Sequence, residues 1–525
     1  MYSGGDARGT FAAVAGTGLL LVLLPYVILL ASDHTGLVGL TPGDPAVRCD
    51  ADPYENAWQF WWVGRALGDG HDPRWCPLIY WPGGASLAYD HVGWFDTLLL
   101  GATGAGERSP GLAHTVSLMI GTVLTALFGW LLARSWGAGR YGALFTALAL
   151  AWLPSRTAHL LQHYQVANLW ALPASLWAAS RFVSGGRRRF ASVFLLAALA
   201  GALESPFIVL FVILCLPAAT WHLGGSWRRT GILAAFWVLS ASAAALFLLS
   251  APGETGQLAR HWREAVIWAA EPQSFLLPSP FGPAGRILGM PLRMSWMTNV
   301  FEGVVTPGLV VLVLFLVFLR KERRWGTAAV VAAFWLLALG PELRMLGRPL
   351  GIPLPFRILQ AMPLAGGIRA PSRLAIPGSV IAALGAGVAV SRLGSKWRYP
   401  AFFLLLLENA LPSLPLLDGS IPGECAGLPE GSVVLEVPVD AGVRRYSWFQ
   451  TEAGYRRRYA FMARMPDMPC EQELLDRALD EGDVIVYHRW LYEGEERDSL
   501  DLELRRLFPS AIDADSVWIG MEAAP

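Results

Sequence analysis

The chain places several groups capable of chemistry in one early stretch. It runs Cys49-Asp50-Ala51-Asp52-Pro53-Tyr54-Glu55-Asn56-Ala57-Trp58 and on through Gln59-Phe60-Trp61-Trp62. Tyr80-Trp81-Pro82-Gly83-Gly84 and Tyr89-Asp90-His91 follow within the same polar region. Carboxylates hydrogen-bond hydroxyl groups, and aromatic faces cover the apolar faces of a sugar ring. Asp50, Asp52, Glu55, Trp58, Tyr80, Trp81, Asp90 and His91 are therefore candidate contacts of a carbohydrate. The same spacing has a structural reading. Asp52 at the N-cap, Pro53 at the first helical position and Glu55 two further on make a helix start with capping-box spacing. Asp52 would then cap a helix lying along a membrane surface, with Trp58, Trp61 and Trp62 facing lipid. Asp50, Asp52 and Glu55 also offer the oxygens that a hard divalent cation such as magnesium or manganese takes; the sequence leaves metal dependence open.

A second group is His159 and His163, with Gln162 and Gln165 beside them. Four residues apart, both imidazoles could share one helical face. They lack the nearby glutamate of the zincin pattern. Hydrogen bonding to a sugar or a pyrophosphate is one reading, and a plain interfacial helix is the other.

The elements that must position these residues are membrane spans. The 525 residues are 54% hydrophobic and 16% charged, with a mean hydropathy of +0.42, too apolar for a soluble globular protein. The 23 Trp and 13 Tyr suit two membrane–water interfaces. Net charge is zero, with no basic arm and no nucleic-acid motif, so nucleic acid is not an expected partner. Apolar segments near 11–31, 112–133, 141–155, 166–182, 190–204, 205–222, 231–250, 303–319, 327–341, 374–391 and 399–415 predict about eleven spans. The first reads as a retained signal anchor. The break inside 190–222 is placed at Ser205-Pro206, with Glu204 at its tip.

Alternate connections are short and basic. They carry Arg134 and Arg140; Arg181, Arg187, Arg188 and Arg189; Arg228 and Arg229; Arg320, Lys321, Arg323 and Arg324; and Arg392, Lys396 and Arg398. Lys and Arg collect on the cytoplasmic side, so the N-terminus is expected inside and the long first loop, 32–111, outside. Cys49 and Cys76 share that loop, Cys425 and Cys470 share the tail, and Cys215 sits alone in a span. This distribution predicts two disulfides in an oxidising compartment. The expected architecture is mainly α: residues 1–415 form a polytopic transmembrane helical bundle, and 416–525 a small soluble α/β domain outside. Strands are expected at Ser432–Val437, Asp483–His488 and Ser516–Met521, and helices at Gln472–Leu479 and Leu500–Leu507.

No dinucleotide loop, Walker lysine or nucleophile elbow is present. Several stretches instead resemble the GT-C superfamily of membrane glycosyltransferases, and more narrowly a bacterial branch of it. They are Asp52-Pro53-Tyr54-Glu55-Asn56-Ala57-Trp58, Tyr80-Trp81-Pro82-Gly83-Gly84-Ala85-Ser86-Leu87-Ala88, Pro154-Ser155-Arg156-Thr157-Ala158-His159-Leu160 and Arg369-Ala370-Pro371-Ser372-Arg373-Leu374-Ala375. The resemblance implies a sugar donor linked to polyprenyl phosphate, an acceptor that is a glycan, lipid or protein, and a reaction at the outer face of the cytoplasmic membrane. It implies that an acidic residue early in the first outer loop is the general base. That is Asp52, with Asp50 as its rival, although relatives often carry adjacent acids where Ala51 intervenes here. Inversion at C1 is the expected outcome. A donor phosphate needs a cation, and guanidinium grips phosphate with two hydrogen bonds. Arg369 and Arg373 at the outer entrance of a span are the candidates, with Arg357, Arg344 and Arg348 upstream. Pairing with acidic groups or lipid headgroups is the alternative. Glu302 is a weaker candidate site residue. The rival functions are a transporter of lipid-linked glycans and a non-catalytic cell-envelope scaffold.

Overall fold

A computed structural model of the chain describes residues 6–32, 36–39, 52–253 apart from 89 and 91, 262–290, 300–361, 368–439 apart from 412, 444–460, 471–488 apart from 482, and short pieces beyond. Cys49, Asp50, His91, Cys470 and most of 500–507 lie outside the described residues. The chain divides into two compact units. One comprises Met1–His34, Val116–Leu246 and Leu258–Leu414; the other comprises Thr35–Thr115, Phe247–Gln257 and Pro415–Pro525.

The first unit is helical. Helices stand at Asp6–Ser32, Pro110–Ser135, Arg140–Ala151, Ala171–Gly185, Arg188–Glu204, Pro206–Leu223, Trp227–Leu249, Leu309–Glu322, Trp325–Ala338, Ala375–Ser391 and Ser395–Asn409, one at each expected apolar segment. Pro110–Ser135, Trp227–Leu249 and Pro371–Ser391 are long and apolar enough to cross a membrane by length and composition. The break at Ser205 falls where expected: Ser205 is extended, and Pro206, which lacks an N–H, opens the next helix. The expected segment 141–155 ends early, at Ala151, because Pro154 starts a new short helix, Pro154–Leu160. Arg156 on that helix is fully buried. It donates to the carbonyl of Ala151 (2.6 Å) and to Thr122 Oγ1 (2.5 Å), so it satisfies the end of the preceding helix.

Small residues bring helices Arg140–Ala151 and Ala375–Ser391 together. A Cβ at Gly142 would lie 1.9 Å from the Gly387 carbonyl oxygen, and one at Gly387 2.1 Å from Thr146 Oγ1. The five basic connections also meet at one end of this unit. Trp136 stacks on His222 at 3.9 Å, the Gly139 amide donates to Ser391 Oγ at 2.8 Å, and Arg229 donates to the Val183 carbonyl at 3.0 Å. Arg392 pairs with Glu322, and Arg398 lies over the Tyr141 ring.

The second unit departs from the expected division. The tail does not stand apart; it shares a core with the first long connection. Helix Asp52–Gly68 buries residues on every face, Trp58, Trp61 and Trp62 included, so those indoles face protein and not lipid. Leu37, Tyr54 and Ala57 pack in one cluster with Leu417, Leu435, Tyr446, Trp448, Ile485 and Tyr487. The tail forms a five-stranded sheet in the order Arg456–Arg457, Val433–Val437, Val484–His488, Val517–Gly520, Ile512–Asp513. The first two pairings are parallel and the last two antiparallel. Helices Arg445–Ala453 and Glu471–Glu481 supply the crossovers that parallel pairing requires. On the central strand, buried Glu436 accepts from Arg457 Nε (2.7 Å) and Tyr455 (2.7 Å).

Cys76 and Cys425 are free, buried thiols; Cys49 and Cys470, their expected disulfide partners, lie outside the described residues. Cys425 packs among Leu428, Val434, Tyr455 and Val486. Burial pushes both thiols up to about 12, so they are protonated at neutral pH. Cys215 is also buried and free, as its isolation in the sequence implies.

The glycine seam gives a direct test. Gly142→Ala should destabilise the protein by about 1–3 kcal/mol through overpacking. Gly231→Ala, where nothing lies within 4 Å of the added Cβ, should leave the melting midpoint unchanged or higher. Equal midpoints for the two variants would show that the seam is not tight.

Candidate functional site

Each unit holds one buried cluster of the residue types singled out above. In the second unit, helix Asp52–Gly68 carries Asp52 and Glu55 on its first turn. Glu55 and Asp90 are buried, and Gln59 Nε2 donates to Asp90 Oδ2 at 3.2 Å. Asp52 is the accessible one: its side chain is 27% exposed, and its Oδ1 lies 2.8 Å from Arg444 Nε. Burial raises the Glu55 carboxyl well above its ordinary range, and the negative charge of Asp90 adds to this against the opposing pull of Arg444. Two carboxyl groups this close hold a proton more readily than either alone. Asp50, which with Asp52 and Glu55 was expected to offer oxygens to a magnesium or manganese ion, lies outside the described residues.

The aromatic candidates hold structure. Trp58 Nε1 donates to Gln450 Oε1 at 2.8 Å. Gln450 in turn donates to the carbonyls of Leu78 (3.1 Å) and Tyr455 (2.6 Å). The Tyr80 hydroxyl donates to the Ala460 carbonyl at 2.5 Å. Trp81 is half-buried beneath the Arg456 guanidinium, 4.1 Å from its ring centre. The carbohydrate reading of Trp58 is corrected accordingly: its ring is buried and its N–H already used.

In the first unit, Glu302 is the hub. Arg373 Nε donates to Glu302 Oε1 at 2.9 Å and Oε2 at 3.2 Å, its Nη2 also reaches Oε1, and Ser372 Oγ donates to Oε2 at 3.0 Å. His159 Nε2 lies 3.8 Å and His163 Nδ1 4.0 Å from the same carboxylate. The two Nδ1 atoms are 3.3 Å apart. The histidines meet although His159 sits in helix Pro154–Leu160 and His163 precedes Tyr164–Ala167. Burial pushes His159 down to about 3, so its imidazole is neutral. Donor atoms of His159, His163 and Glu302 lie within 4.8 Å of one another. Arg373 and Ser372 already occupy both Glu302 oxygens, however, so the cluster is a hydrogen-bonded network before it is a metal set.

The phosphate reading of Arg373 is thereby corrected: its charge is spent on Glu302. Arg369, partly exposed, lies over Trp268 at 5.3 Å. Arg344 is buried and donates to the carbonyls of Val266, Ile267 and Gly347. Arg357 donates to the Pro341 carbonyl. Glu302, Arg444 and Gln450 are the residues that sequence reasoning undervalued or missed. Only Glu302 gave a signal, an acid at the mouth of an apolar segment.

No protein-family model matches the sequence, and no curated protein sequence matches it. Solved structures do match its fold. The arabinofuranosyltransferase AftD from Mycobacteria superposes with a TM-score of 0.53 at 15% identity, covering 92% of this chain and 35% of AftD. This chain therefore spans about a third of that protein's length. ArnT from Cupriavidus metallidurans, bound to undecaprenyl phosphate, superposes with a TM-score of 0.51 at 12% identity over 99% of both chains. The chain has a GT-C-like fold. Within such a fold, the acidic helix start at Asp52 opens the first long connection after helix Asp6–Ser32.

Two measurements test this geometry. The raised Glu55 value means the folded state holds that proton more tightly than the unfolded chain does. Its contribution is present below the ordinary glutamate range and is lost as pH rises through the raised value. The wild-type melting midpoint should thus fall with rising pH relative to Glu55→Gln; parallel curves would refute the shared proton. Glu302→Ala strands a buried guanidinium and should cost about 3–5 kcal/mol. The double variant Glu302→Ala/Arg373→Met should recover part of that loss in the same denaturation assay.

Proposed function

We propose that this chain is an integral-membrane glycosyltransferase. It takes a sugar from a polyprenyl-phosphate carrier and places it on an acceptor hydroxyl at the outer face of the cytoplasmic membrane. The observation that carries the reading is the match in fold, along nearly the whole of both chains, to ArnT bound to undecaprenyl phosphate. The acidic cluster on the first long connection is the second support. The five basic connections gathered at one end of the helical unit support an N-terminus inside, with the first connection and the tail outside.

In this reading Asp52 is the general base. Of the described carboxyls in its cluster it is the accessible one, while Glu55 and Asp90 are buried. Arg444 holds it in place. The acceptor oxygen attacks C1 as its proton passes to Asp52. The bond from C1 to the phosphate oxygen breaks, its electron pair leaves with the phosphate, and C1 inverts.

The test is transfer of radiolabel from a panel of polyprenyl-phosphate sugars in proteoliposomes. Wild type should transfer from one donor, and Asp52→Asn should lose about 10²–10⁴-fold in rate while still binding that donor. Retained transfer in Asp52→Asn would move the base elsewhere. Labelled lipid crossing the bilayer without transfer would replace the enzyme with a transporter.

A further inference from the structure

The basic end of the helical unit contains a cleft that the transferase reading does not use. It is a space of about 580 Å³, counting its open mouth, lined by Trp136, His222, Arg323, Arg324 and Thr327 among others. We propose that this cleft binds the phosphate of an anionic ligand, with the headgroup of an acidic phospholipid as its source in the membrane.

Four observations carry the proposal. Arg323 and Arg324 are adjacent, at the turn between helices Leu309–Glu322 and Trp325–Ala338. Arg323 takes a left-handed φ of 52°, which an L-residue rarely adopts, and this turns the chain so that both side chains line the cleft. Among the described residues, neither guanidinium has a hydrogen-bond or ion-pair partner. A buried-side wall of the cleft is the His222 ring, stacked on Trp136 at 3.9 Å and 15°. The His222 Nδ1 is buried without a hydrogen-bond partner, which leaves a polar atom for an anion to satisfy. The five basic connections carry the fifteen Lys and Arg residues named above against one acid, Glu322. That acid is paired with Arg392. Finally, Trp221, Trp227, Trp325 and Trp397 at this end are each more than 60% exposed, as indoles are at the level of lipid headgroups. Basic clefts between helices at such an interface suit phosphate headgroups.

The experiment uses the full chain in detergent. Native mass spectrometry would count retained phosphatidylglycerol and phosphatidylcholine, and thermal melts would be run with either lipid or with inorganic phosphate. Wild type should retain and be stabilised by phosphatidylglycerol over phosphatidylcholine. Arg323→Gln/Arg324→Gln should weaken that binding by about tenfold or more, the scale of a lost charge-assisted contact. Arg187→Gln/Arg188→Gln removes the same charge from exposed positions outside the cleft and should change it less than about twofold. His222→Phe keeps the stack on Trp136 and removes the ring nitrogens; it should weaken binding without lowering the melting midpoint measured in phosphatidylcholine. Stabilisation by inorganic phosphate that is lost in the Arg323/Arg324 variant would uphold the phosphate site and assign it a soluble source. Equal losses in the two arginine pairs, or no preference for either anion, would overturn the proposal. None of these outcomes bears on glycosyl transfer.

Discussion

Helix Asp52–Gly68 is buried on every face from Pro53 to Gly64, polar Glu55, Asn56 and Gln59 included, so it has to be covered on every side. Water would meet its Trp and Phe side chains on any face left open, at a cost of roughly 25 cal/mol for each Å². Helices Trp94–Gly101 and Ala105–Arg108 cover part of it, and the tail covers the rest. Trp58 hydrogen-bonds Gln450, Tyr54 donates to the Asp418 carbonyl, and Asp52 pairs with Arg444. The mixed sheet and its crossover helices thus hold the first connection in shape. The acidic cluster inherits its geometry from this burial: Glu55 is forced indoors by the turn that follows Asp52, and finds Asp90 there.

Buried charge is handled in two different ways. In the sheet, Glu436 meets Arg457 and Asp483 meets Arg458, each carboxylate facing a guanidinium. In the helical unit Glu302 meets Arg373. Such pairs hold a fold together because removing either partner leaves a charge without compensation. Glu55 and Asp90 differ from these pairs: the charge of Asp90 acts on Glu55 in the same direction as burial, and Arg444 opposes both. Like charges brought together in a buried place are a cost that folding alone does not explain, and carboxyls with displaced proton affinity cluster at functional sites.

Much of the helical layout was legible in the sequence because it rests on run length and on Pro. Eleven apolar runs became eleven helices, and Ser205-Pro206 broke the chain where its chemistry requires. The strands at 433–437, 484–488 and 517–520 followed from their β-branched alternation. What was not legible were partnerships across long separations. Nothing local in Asp52 announces Arg444, and nothing in Arg373 announces Glu302. An arginine at the mouth of a span reads as a phosphate ligand until its counter-ion is seen. Nor does a shared loop tell how deep a thiol sits: Cys76 and Cys425 are buried. Whether the indoles of the first connection meet lipid, sugar or protein was not legible either, because the sequence does not display the segments that cover them.

The second unit is assembled from three separated stretches of chain, with its early helix and its late sheet at opposite ends of synthesis. A ribosome delivers the acidic helix first and its partner Arg444 near the end. During that interval the Trp-rich helix is covered only where Trp94–Gly101 and Ala105–Arg108 pack on it, and the face that meets Gln450 and Arg444 stands open. Completion of the carboxylate cluster therefore reports that translation has reached the tail: a chain cut short after the last long helix would carry every acidic residue of the cluster and still lack the site.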